Sequence, residues 1–337
     1  MTHADAGTFL ELARTVPVVD VRSPKEYAQG HISSAVNIAL FSDEERALIG
    51  TMYKQQGREG AVSKGLEVVG PKMAALAQTA KSVGVDGRLL VHCWRGGMRS
   101  NSMAWLFEQS GLQCTVLTGG YKAYRSHLLS SFAQLPNLIV LEGATGSGKT
   151  DILHQLKGMG QQVIDLEGLA SHRGSAFGAY GLRPQPTSQQ FQNDLFGEWA
   201  ALDRSKPVWV EGESLTIGRV YLPQPFWEAM NHARIVEVDM PQELRAQRLV
   251  ADYGALPKEL LAEGIRRITD QFGGNRVKQA LELLDAGDLY HVALLLLGYY
   301  DERYLYGRDK HGRNPHVTIT LNSIDPHSNA RTILAGL

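Results

Sequence analysis

The apolar residues of this chain recur in short runs rich in valine and leucine, separated by longer stretches with helical spacing. In the first part of the chain the runs are PVVDVR (17–22), VNIAL (36–40), RLLVHC (88–93) and CTVLTGG (114–120). Between them lie DEERALIGTMYKQQ, GPKMAALAQTAKSVG and RSNSMAWLFEQSG, whose apolar residues fall three and four positions apart. Strands that alternate with helices predict a mostly parallel sheet covered on both faces.

A second series of strands and helices begins after Pro136. Its strand candidates are NLIVLEG (137–143), QQVIDLEG (161–168), KPVWVEGE (206–213) and ARIVEVDM (233–240). The pattern becomes helical after about residue 241, and HVTITL (316–321) predicts an edge strand. The sequence therefore predicts two α/β domains, residues 1–130 and residues 131–337, the second with a helical C-terminal extension.

Length and composition set the class of protein. A chain of 337 residues exceeds one ordinary domain. Its 34 lysines and arginines nearly balance 35 acidic residues, so any nucleic-acid contact must come from local basic patches. The N-terminus has no signal-peptide pattern, and the run VALLLLG (292–298) is too short to cross a bilayer. We therefore expect a cytoplasmic protein without a membrane partner, in which cysteines stay reduced.

The segment GATGSGKT (143–150) fits the phosphate-binding pattern G-x-x-x-x-G-K-[ST] between a predicted strand and a predicted helix. Glycines let backbone amides turn toward an anion, and the helix N-terminus adds partial positive charge. Lys149 can reach terminal phosphates, and the Thr150 hydroxyl can bind Mg²⁺. The predicted diphosphate-binding residues here are Gly143, Gly146, Ser147, Gly148, Lys149 and Thr150.

The acidic partner of this loop has two candidates in the sequence. VWVEGES offers Glu211 and Glu213 where nucleotide hydrolases carry an aspartate. A glutamate there could hold Mg²⁺ through water, act as a general base, or be a solvated strand end; we assign Glu211 to the diphosphate site. His172 and Arg173, in SHRGSAFG (171–178), either join that site or lie on an ordinary surface loop. The sequence thus indicates diphosphate binding but not ATP hydrolysis.

A second candidate site surrounds Cys93, which closes the run RLLVHC. A thiol at a helix N-terminus beside arginines has a lowered pKa and can act as a nucleophile. Cys114, within QCTVL, lacks such surroundings and is predicted to be a core residue. The residues predicted to form an anion-binding loop with Cys93 are Trp94, Arg95, Gly96, Gly97, Met98 and Arg99.

The segment DVRSPKEYAQGHISSAVNIAL (20–40) resembles the opening signature of rhodanese-type domains. In that family the cysteine accepts and passes on sulfur or selenium; we expect Asp20, Arg22, Glu26 and His31 to brace the fold. Arg99 stands six positions after Cys93, one more than in many sulfurtransferase loops. This longer loop resembles rhodanese-related dual-specificity phosphatases, so its length alone does not separate a phosphatase from a chalcogen carrier.

Taken together, HCWRGGMRS, GGYKAYR (119–125), LEGATGSGKT, LEGLASHRGSAFG (166–178) and VWVEGES make the chain resemble the tRNA 2-selenouridine synthase family from about residue 10 to about residue 325. The resemblance implies a transferase with geranyltransferase and selenium-transfer activities, acting on the wobble 2-thiouridine of the tRNA anticodon. It implies geranyl diphosphate and selenophosphate as substrates, no tightly bound cofactor, and a selenophosphate-supplying enzyme as an expected partner; Mg²⁺ at Thr150 is the one metal that the phosphate-binding loop leads us to expect.

By the same resemblance Cys93 serves the selenium step while Arg95, Arg99 and the loop amides hold selenophosphate. Apolar walls for a geranyl group would come from VALLLLG. Predicted RNA contacts are Arg266, Arg267, Arg276, Lys278, Tyr299, Tyr300, Arg303, Tyr304, Arg308 and Lys310. The rival hypotheses are a Cys-x5-Arg phosphatase fused to a nucleotide-binding domain, and a non-catalytic rhodanese module that regulates a P-loop kinase.

Overall fold

The computed structural model describes residues 1–133, 137–174, 178, 180–311 and 315–337, with side chains omitted for residues 305–311. The chain divides into two units. The first comprises Met1–Ser131 and Gln192–Gly197, and the second comprises Phe132–Phe191 and Glu198–Leu337. Each unit is described by itself below.

The first unit is built on a five-stranded sheet of entirely parallel strands in the order β1-β5-β4-β2-β3. Valines on both faces of the central strands are buried, as a sheet covered on two sides requires. The strand bounds are β1 (Thr2–Ala4), β2 (Val18–Asp20), β3 (Ala35–Asn37), β4 (Arg88–His92) and β5 (Gln113–Leu117).

Helices connect these strands, and their first residues explain where they begin. Ser23 with Glu26, and Ser42 with Glu45, form reciprocal capping boxes at the starts of α2 and α3. The long α3 bends at Gly57, whose φ of 78° is not helical. The helix bounds are α1 (Ala6–Leu12), α2 (Pro24–Gln29), α3 (Asp43–Val69), α4 (Met73–Val83), α5 (Met98–Gln109) and α6 (Gly120–Ser131).

The second unit also contains a five-stranded parallel sheet, in the order β12-β11-β6-β8-β7. The predicted strand HVTITL is confirmed as β12 at one edge, beside β11. A separate antiparallel hairpin is formed by β9 (Thr216–Ile217) and β10 (Val220–Tyr221). The sheet strands are β6 (Leu138–Gly143), β7 (Gln162–Ile164), β8 (Val208–Glu211), β11 (Arg234–Asp239) and β12 (Val317–Thr320).

Helices make up most of the chain beyond β11, as the apolar spacing predicts. A cluster of buried residues that includes Ile265, Phe272 and Leu284 holds several of them together. The helices that follow β6 are α7 (Lys149–Gly158), α8 (Leu166–Ala170), α9 (Ser188–Ala200), α10 (Gln224–Asn231), α11 (Gln242–Tyr253), α12 (Lys258–Arg267), α13 (Thr269–Phe272), α14 (Gly274–Asp285), α15 (Leu289–His311) and α16 (Pro326–Ala335).

The predicted fold class is confirmed: both units are α/β with parallel sheets, and the second ends in a helical segment. The phosphate-binding loop follows β6, and the cysteine loop follows β4. Both loops therefore lie at the carboxyl ends of strands, where parallel sheets place ligands. Within the described part of the chain, no helix combines the length and the apolar character needed to cross a bilayer.

Candidate functional site

The cysteine loop is fastened to the start of α6 by backbone hydrogen bonds. The N–H of Tyr121 donates to the carbonyl of Cys93 at 2.8 Å, and the N–H of Lys122 donates to that of Trp94 at 3.0 Å. Gly120 has a φ of 60°, and a Cβ on it would clash with the Cys93 carbonyl oxygen. The GGYK segment (119–122) therefore shapes the loop, although α5 and β5 separate the two in the sequence.

A second glycine is required inside the loop itself. Gly96 has a φ of 64°, and a Cβ on it would lie 2.5 Å from the carbonyl oxygen of Leu117. The loop therefore passes so close to the end of β5 that only glycine fits at position 96. This close approach fixes the direction in which the backbone amides of the loop point.

The Cys93 thiol is 3% exposed and lies at the base of the loop. Burial alone would raise its pKa, but hydrogen bonds from Ser100 and from the Arg95 amide, together with the charge of Arg99, hold that pKa below its usual value. The Sγ atom is 3.3 Å from the hydroxyl of Ser100, which also contacts the Gly97 carbonyl at 3.1 Å. These contacts favour the thiolate form of Cys93 relative to a free cysteine. Sequence reasoning missed Ser100, although it directly follows Arg99.

Arg99 is oriented by an acidic residue from the rhodanese-like signature. Its Nη1 atom donates to Oε2 of Glu26 at 2.6 Å, and Nε of Arg46 approaches the other carboxylate oxygen at 3.5 Å. Burial would raise the pKa of Glu26, but Arg99 and Arg46 lower it, so the group stays a carboxylate. The side chains of Trp94, Arg95 and Met98 are exposed on the loop.

The remaining signature residues contact the fold. A guanidinium nitrogen of Arg22 pairs with Asp20 at 2.6 Å and donates to the Gly30 carbonyl at 2.7 Å, with both side chains buried. The His31 ring stacks on Tyr27 with centroids 3.8 Å apart. These contacts agree with the expected bracing role. Cys114 is buried in β5, where burial and the nearby Glu108 raise its pKa to about 12.

The phosphate-binding loop joins β6 to α7 in the expected geometry. Gly148 has a φ of 78°, and a Cβ on it would lie 2.6 Å from the guanidinium carbon of Arg248. Lys149 donates from Nζ to the Gly143 carbonyl at 2.9 Å, and Thr150 donates to Glu167 at 2.7 Å. The buried hydroxyl of Ser147 has no hydrogen-bond partner within the described structure. Arg248, which the sequence did not single out, places its guanidinium beside this loop, where it pairs with Asp151 at 2.5 Å.

The two strand-end glutamates have different surroundings. Glu211 is 0% exposed and accepts a hydrogen bond from the Leu166 amide at 2.9 Å, so it is not a solvated strand end. Burial, with Asp165 and Glu167 nearby, raises its pKa well above the usual range. Glu213 instead lines a cavity beside Lys149, and burial and Glu167 raise its pKa to about 7. The acid that faces the loop is therefore Glu213 rather than the assigned Glu211.

His172 and Arg173, the two residues predicted from SHRGSAFG, have different surroundings: only Arg173 lines the cavity. Arg173 lines the cavity, with its guanidinium carbon 5.5 Å from the centre of the Tyr253 ring. His172 is not part of the cavity lining; its Nδ1 accepts from the Gly174 amide at 3.1 Å, and burial lowers its pKa. Residues 175–177 of this segment lie outside the described residues.

The cavity has a volume of about 540 Å³ and two chemically different sets of lining residues. The charged and polar set comprises the phosphate-binding loop, Lys149, Thr150, Glu167, Arg173, Glu213 and Arg248. The apolar and aromatic set comprises Leu249, Val250, Tyr253, Leu261, Ile265, Val292, Ala293, Leu296, Tyr300 and Tyr304. Three of these residues come from VALLLLG, the run expected to provide apolar walls. A ligand with an anionic head and an apolar tail matches this division.

Comparison with known proteins gives two family matches in chain order. A rhodanese-like domain model matches residues 5–127, and a model described as the tRNA 2-selenouridine synthase AAA domain matches residues 136–331. A tRNA 2-selenouridine synthase of Nitrosomonas europaea is 34% identical over 371 residues, covering 94% of this chain and 96% of the relative. One from Shewanella denitrificans is 40% identical over 343 residues, covering 89% and 90%.

This chain belongs to the tRNA 2-selenouridine synthase family. Membership makes it an enzyme of the transferase class, as the sequence predicted. A solved rhodanese-related protein from Thermoplasma volcanium is 19% identical, with a TM-score of 0.25, covering 38% of this chain and 93% of that one. A likeness this weak adds nothing to the assignment.

In this member of the tRNA 2-selenouridine synthase family, most of the predicted RNA contacts have partners of their own. Arg267 pairs with Glu263 at 2.6 Å, Arg276 with Glu302 at 3.6 Å and Lys278 with Glu282 at 3.9 Å. Arg303 donates to Gln271 and to the Tyr299 hydroxyl, and Tyr304 donates to Glu237. Among the described side chains Arg266 has no such partner; those of Arg308 and Lys310 lie outside the described set. Much of the positive charge predicted to attract RNA is thus neutralised locally.

Proposed function

We propose that this chain converts the wobble 2-thiouridine of tRNA to 2-selenouridine in two steps. Geranyl diphosphate first donates its geranyl group to the sulfur in the cavity of the second unit. Selenium from selenophosphate then replaces the geranylthio group at the Cys93 loop. The observation that carries the proposal is a cavity whose lining combines a phosphate-binding loop with apolar helix residues, which suits a prenyl diphosphate.

The phosphate-binding loop and the charged residues that line the cavity would stabilise the leaving diphosphate. The bond from the geranyl carbon to oxygen breaks as the sulfur of the thiouridine bonds to that carbon. The negative charge that develops on the diphosphate meets Lys149, Arg248 and the loop amides, which are already in place. Lys149 needs only to exchange the Gly143 carbonyl for a phosphate oxygen.

Mg²⁺ fits between Thr150 and Glu167, beside the phosphate-binding loop. The Thr150 hydroxyl and the Glu167 carboxylate, 2.7 Å apart, are oxygen ligands of the kind Mg²⁺ prefers. Bound there, the ion would neutralise diphosphate charge. No cluster of three or more His, Cys, Asp or Glu residues suited to a metal occurs in the described part of the chain. We therefore propose that Mg²⁺ enters with the diphosphate, whose oxygens and water would complete its coordination.

The apolar residues of the cavity lining predict that a larger side chain among them weakens binding of the geranyl chain selectively. Ala293→Phe should weaken geranyl diphosphate binding at least roughly tenfold, because the larger ring takes space from the chain. Calorimetry with geranyl diphosphate and with inorganic pyrophosphate separates binding of the apolar chain from binding of the diphosphate. Pyrophosphate affinity should change much less, since Ala293 offers no polar group to a phosphate. Equal loss for both ligands, or loss for neither, would contradict the placement of the geranyl group.

The selenium step depends on the thiolate of Cys93. Alkylation of the uridine sulfur makes it a better leaving group, since it then departs as a thiol. The loop amides, Arg95 and Arg99 would hold selenophosphate in front of Cys93, and the lowered pKa of the thiol favours its thiolate form.

Ser100→Ala is expected to raise the pKa of Cys93, because the hydroxyl 3.3 Å from Sγ helps to lower it. The thiolate is the reactive form, so reactivity rises with pH through this pKa and levels off above it. The rise should therefore move to higher pH in the variant, with the same plateau. The pH dependence of Cys93 alkylation by iodoacetamide measures this without turnover. An unchanged profile would show that Ser100 does not tune the thiol.

RNA binding is expected to depend more on Arg266 than on its neighbour. Arg266 has no partner among the described side chains, whereas Arg267 already pairs with Glu263. Arg266→Ala should weaken binding of an anticodon stem-loop RNA several-fold and reduce the salt dependence of the affinity by about one phosphate contact. Arg267→Ala serves as the matched control with little effect. The prediction fails if the two variants bind RNA equally well.

A further inference from the structure

We propose that Cys93 attacks the phosphorus of selenophosphate, so that the loop releases selenium as hydroselenide and holds the phosphoryl group as phosphocysteine. This rests on the proposed function, because selenophosphate must be the selenium donor. The selenium would then reach the uridine as a nucleophile in its own right, and the cysteine would never carry it.

The loop is built to hold a tetrahedral anion directly over the thiol. Five residues separate Cys93 from Arg99, and the glycine-rich segment between them is forced to curve by its close approach to residues 117–120. The Arg95 amide faces the sulfur, and α5 begins at Met98 with its free amides at the loop. Arg99 is held in one direction by Glu26 at 2.6 Å. An anion bound by these donors presents its central atom to the thiolate.

The groups around the loop suit a leaving group that needs no proton. A phosphate ester of an alcohol needs an acid to protonate its leaving oxygen. The carboxyl group that the structure places against Arg99, Glu26, is kept ionised by Arg99 and Arg46. His92 is fully buried, and burial lowers its pKa. Hydrogen selenide is a far stronger acid than an alcohol, so hydroselenide can leave without such help.

The cysteines of the chain argue against the alternative in which Cys93 carries the selenium. Selenium in selenophosphate is fully reduced, so moving it onto sulfur as a perselenide would require an oxidant. Releasing it again would require a second thiol. The chain has two cysteines, and Cys114 is a buried β5 residue whose pKa is raised to about 12. Phosphoryl transfer needs neither an oxidant nor a second thiol.

The steps balance without any redox change. The Sγ–P bond forms as the P–Se bond breaks, and the electron pair leaves on selenium. Hydroselenide then bonds to C2 of the S-geranyl uridine, the C2–S bond breaks, and the selenium-bound proton moves to N3. Water hydrolyses the Sγ–P bond and restores the thiol. Selenophosphate, S-geranyl-2-thiouridine and water thus give 2-selenouridine, geranylthiol and phosphate.

The test compares two selenium sources with the full-length enzyme and a synthetic anticodon stem-loop RNA that carries S-geranyl-2-thiouridine. With selenophosphate, Cys93→Ser should lose at least roughly a thousandfold in the rate of 2-selenouridine formation. With hydroselenide, its rate should stay within about threefold of the wild-type rate, because the uridine step does not use the thiol. Thermal unfolding of the variant checks that it is folded.

A second measurement identifies the group on the cysteine. Mass spectrometry of the acid-quenched wild-type enzyme during one turnover should find a phosphoryl group on Cys93 and none in Cys93→Ser. A selenium adduct on Cys93, or a Cys93→Ser variant that is inactive with hydroselenide, would overturn the phosphocysteine alone. Failure of the wild-type enzyme to form 2-selenouridine with selenophosphate would overturn the proposed function as well.

Discussion

Cells whose only copy of this enzyme carries Cys93→Ser are expected to accumulate S-geranyl-2-thiouridine in tRNA and to contain no 2-selenouridine. A serine hydroxyl in the same place stays protonated near neutral pH, so the nucleophile of the selenium step is lost. The residues proposed for prenyl transfer all belong to the second unit, whereas Cys93 belongs to the first. The first step should therefore proceed and its product should persist.

Nucleoside mass spectrometry of tRNA measures this outcome directly. Cells lacking the protein would be complemented with the wild type, with Cys93→Ser or with Cys114→Ser. The last is a matched control, because Cys114 is an equally buried thiol whose raised pKa keeps it protonated. It should support normal 2-selenouridine if folding is preserved. Normal 2-selenouridine with Cys93→Ser would remove Cys93 from the reaction.

The sequence was sufficient to predict the fold and the identity of both loops, because these depend on local patterns. The alternation of strands and helices predicted both parallel sheets, and the strand, loop and helix around Lys149 are contiguous in sequence. Ser100 was within reach of the same reasoning, since it directly follows Arg99. Arg248 was not, because it contacts Gly148 across a separation that only the folded chain closes.

The charged residues give the clearest contrast between local and tertiary information. In the pair Arg267–Glu263 on α12, and in the pair Lys278–Glu282 on α14, the two residues are four positions apart. The neutralisation of charge within each pair could therefore have been predicted from the sequence. The pair Arg276–Glu302 joins two helices and could not be predicted in this way.

The same distinction between local and tertiary information separates Glu211 from Glu213. Glu211 ends β8 and Glu213 follows two residues later, but only the hydrogen bond from the Leu166 amide to Glu211 decides which carboxyl group faces the cavity.

Lys149→Ala is expected to leave the wobble 2-thiouridine unmodified, with neither the geranyl nor the selenium product. The variant loses the flexible cation of the phosphate-binding loop, and loss of one group that stabilises developing charge lowers a rate by at least about a hundredfold. Lys157→Ala is the matched control, because Lys157 is exposed near the end of the same helix and does not line the cavity. The same nucleoside analysis measures both variants.

Calorimetry with geranyl diphosphate should show weaker binding to Lys149→Ala and unchanged binding to Lys157→Ala.

Combining Lys149→Ala with Cys93→Ser tests the order of the two steps. If geranylation precedes selenium transfer, the double variant must contain only 2-thiouridine, like Lys149→Ala alone, because the intermediate that Cys93→Ser accumulates is never made. Accumulation of S-geranyl-2-thiouridine in the double variant would place prenyl transfer outside the phosphate-binding loop. Formation of 2-selenouridine by Lys149→Ala alone would show that selenium transfer does not require prior geranylation.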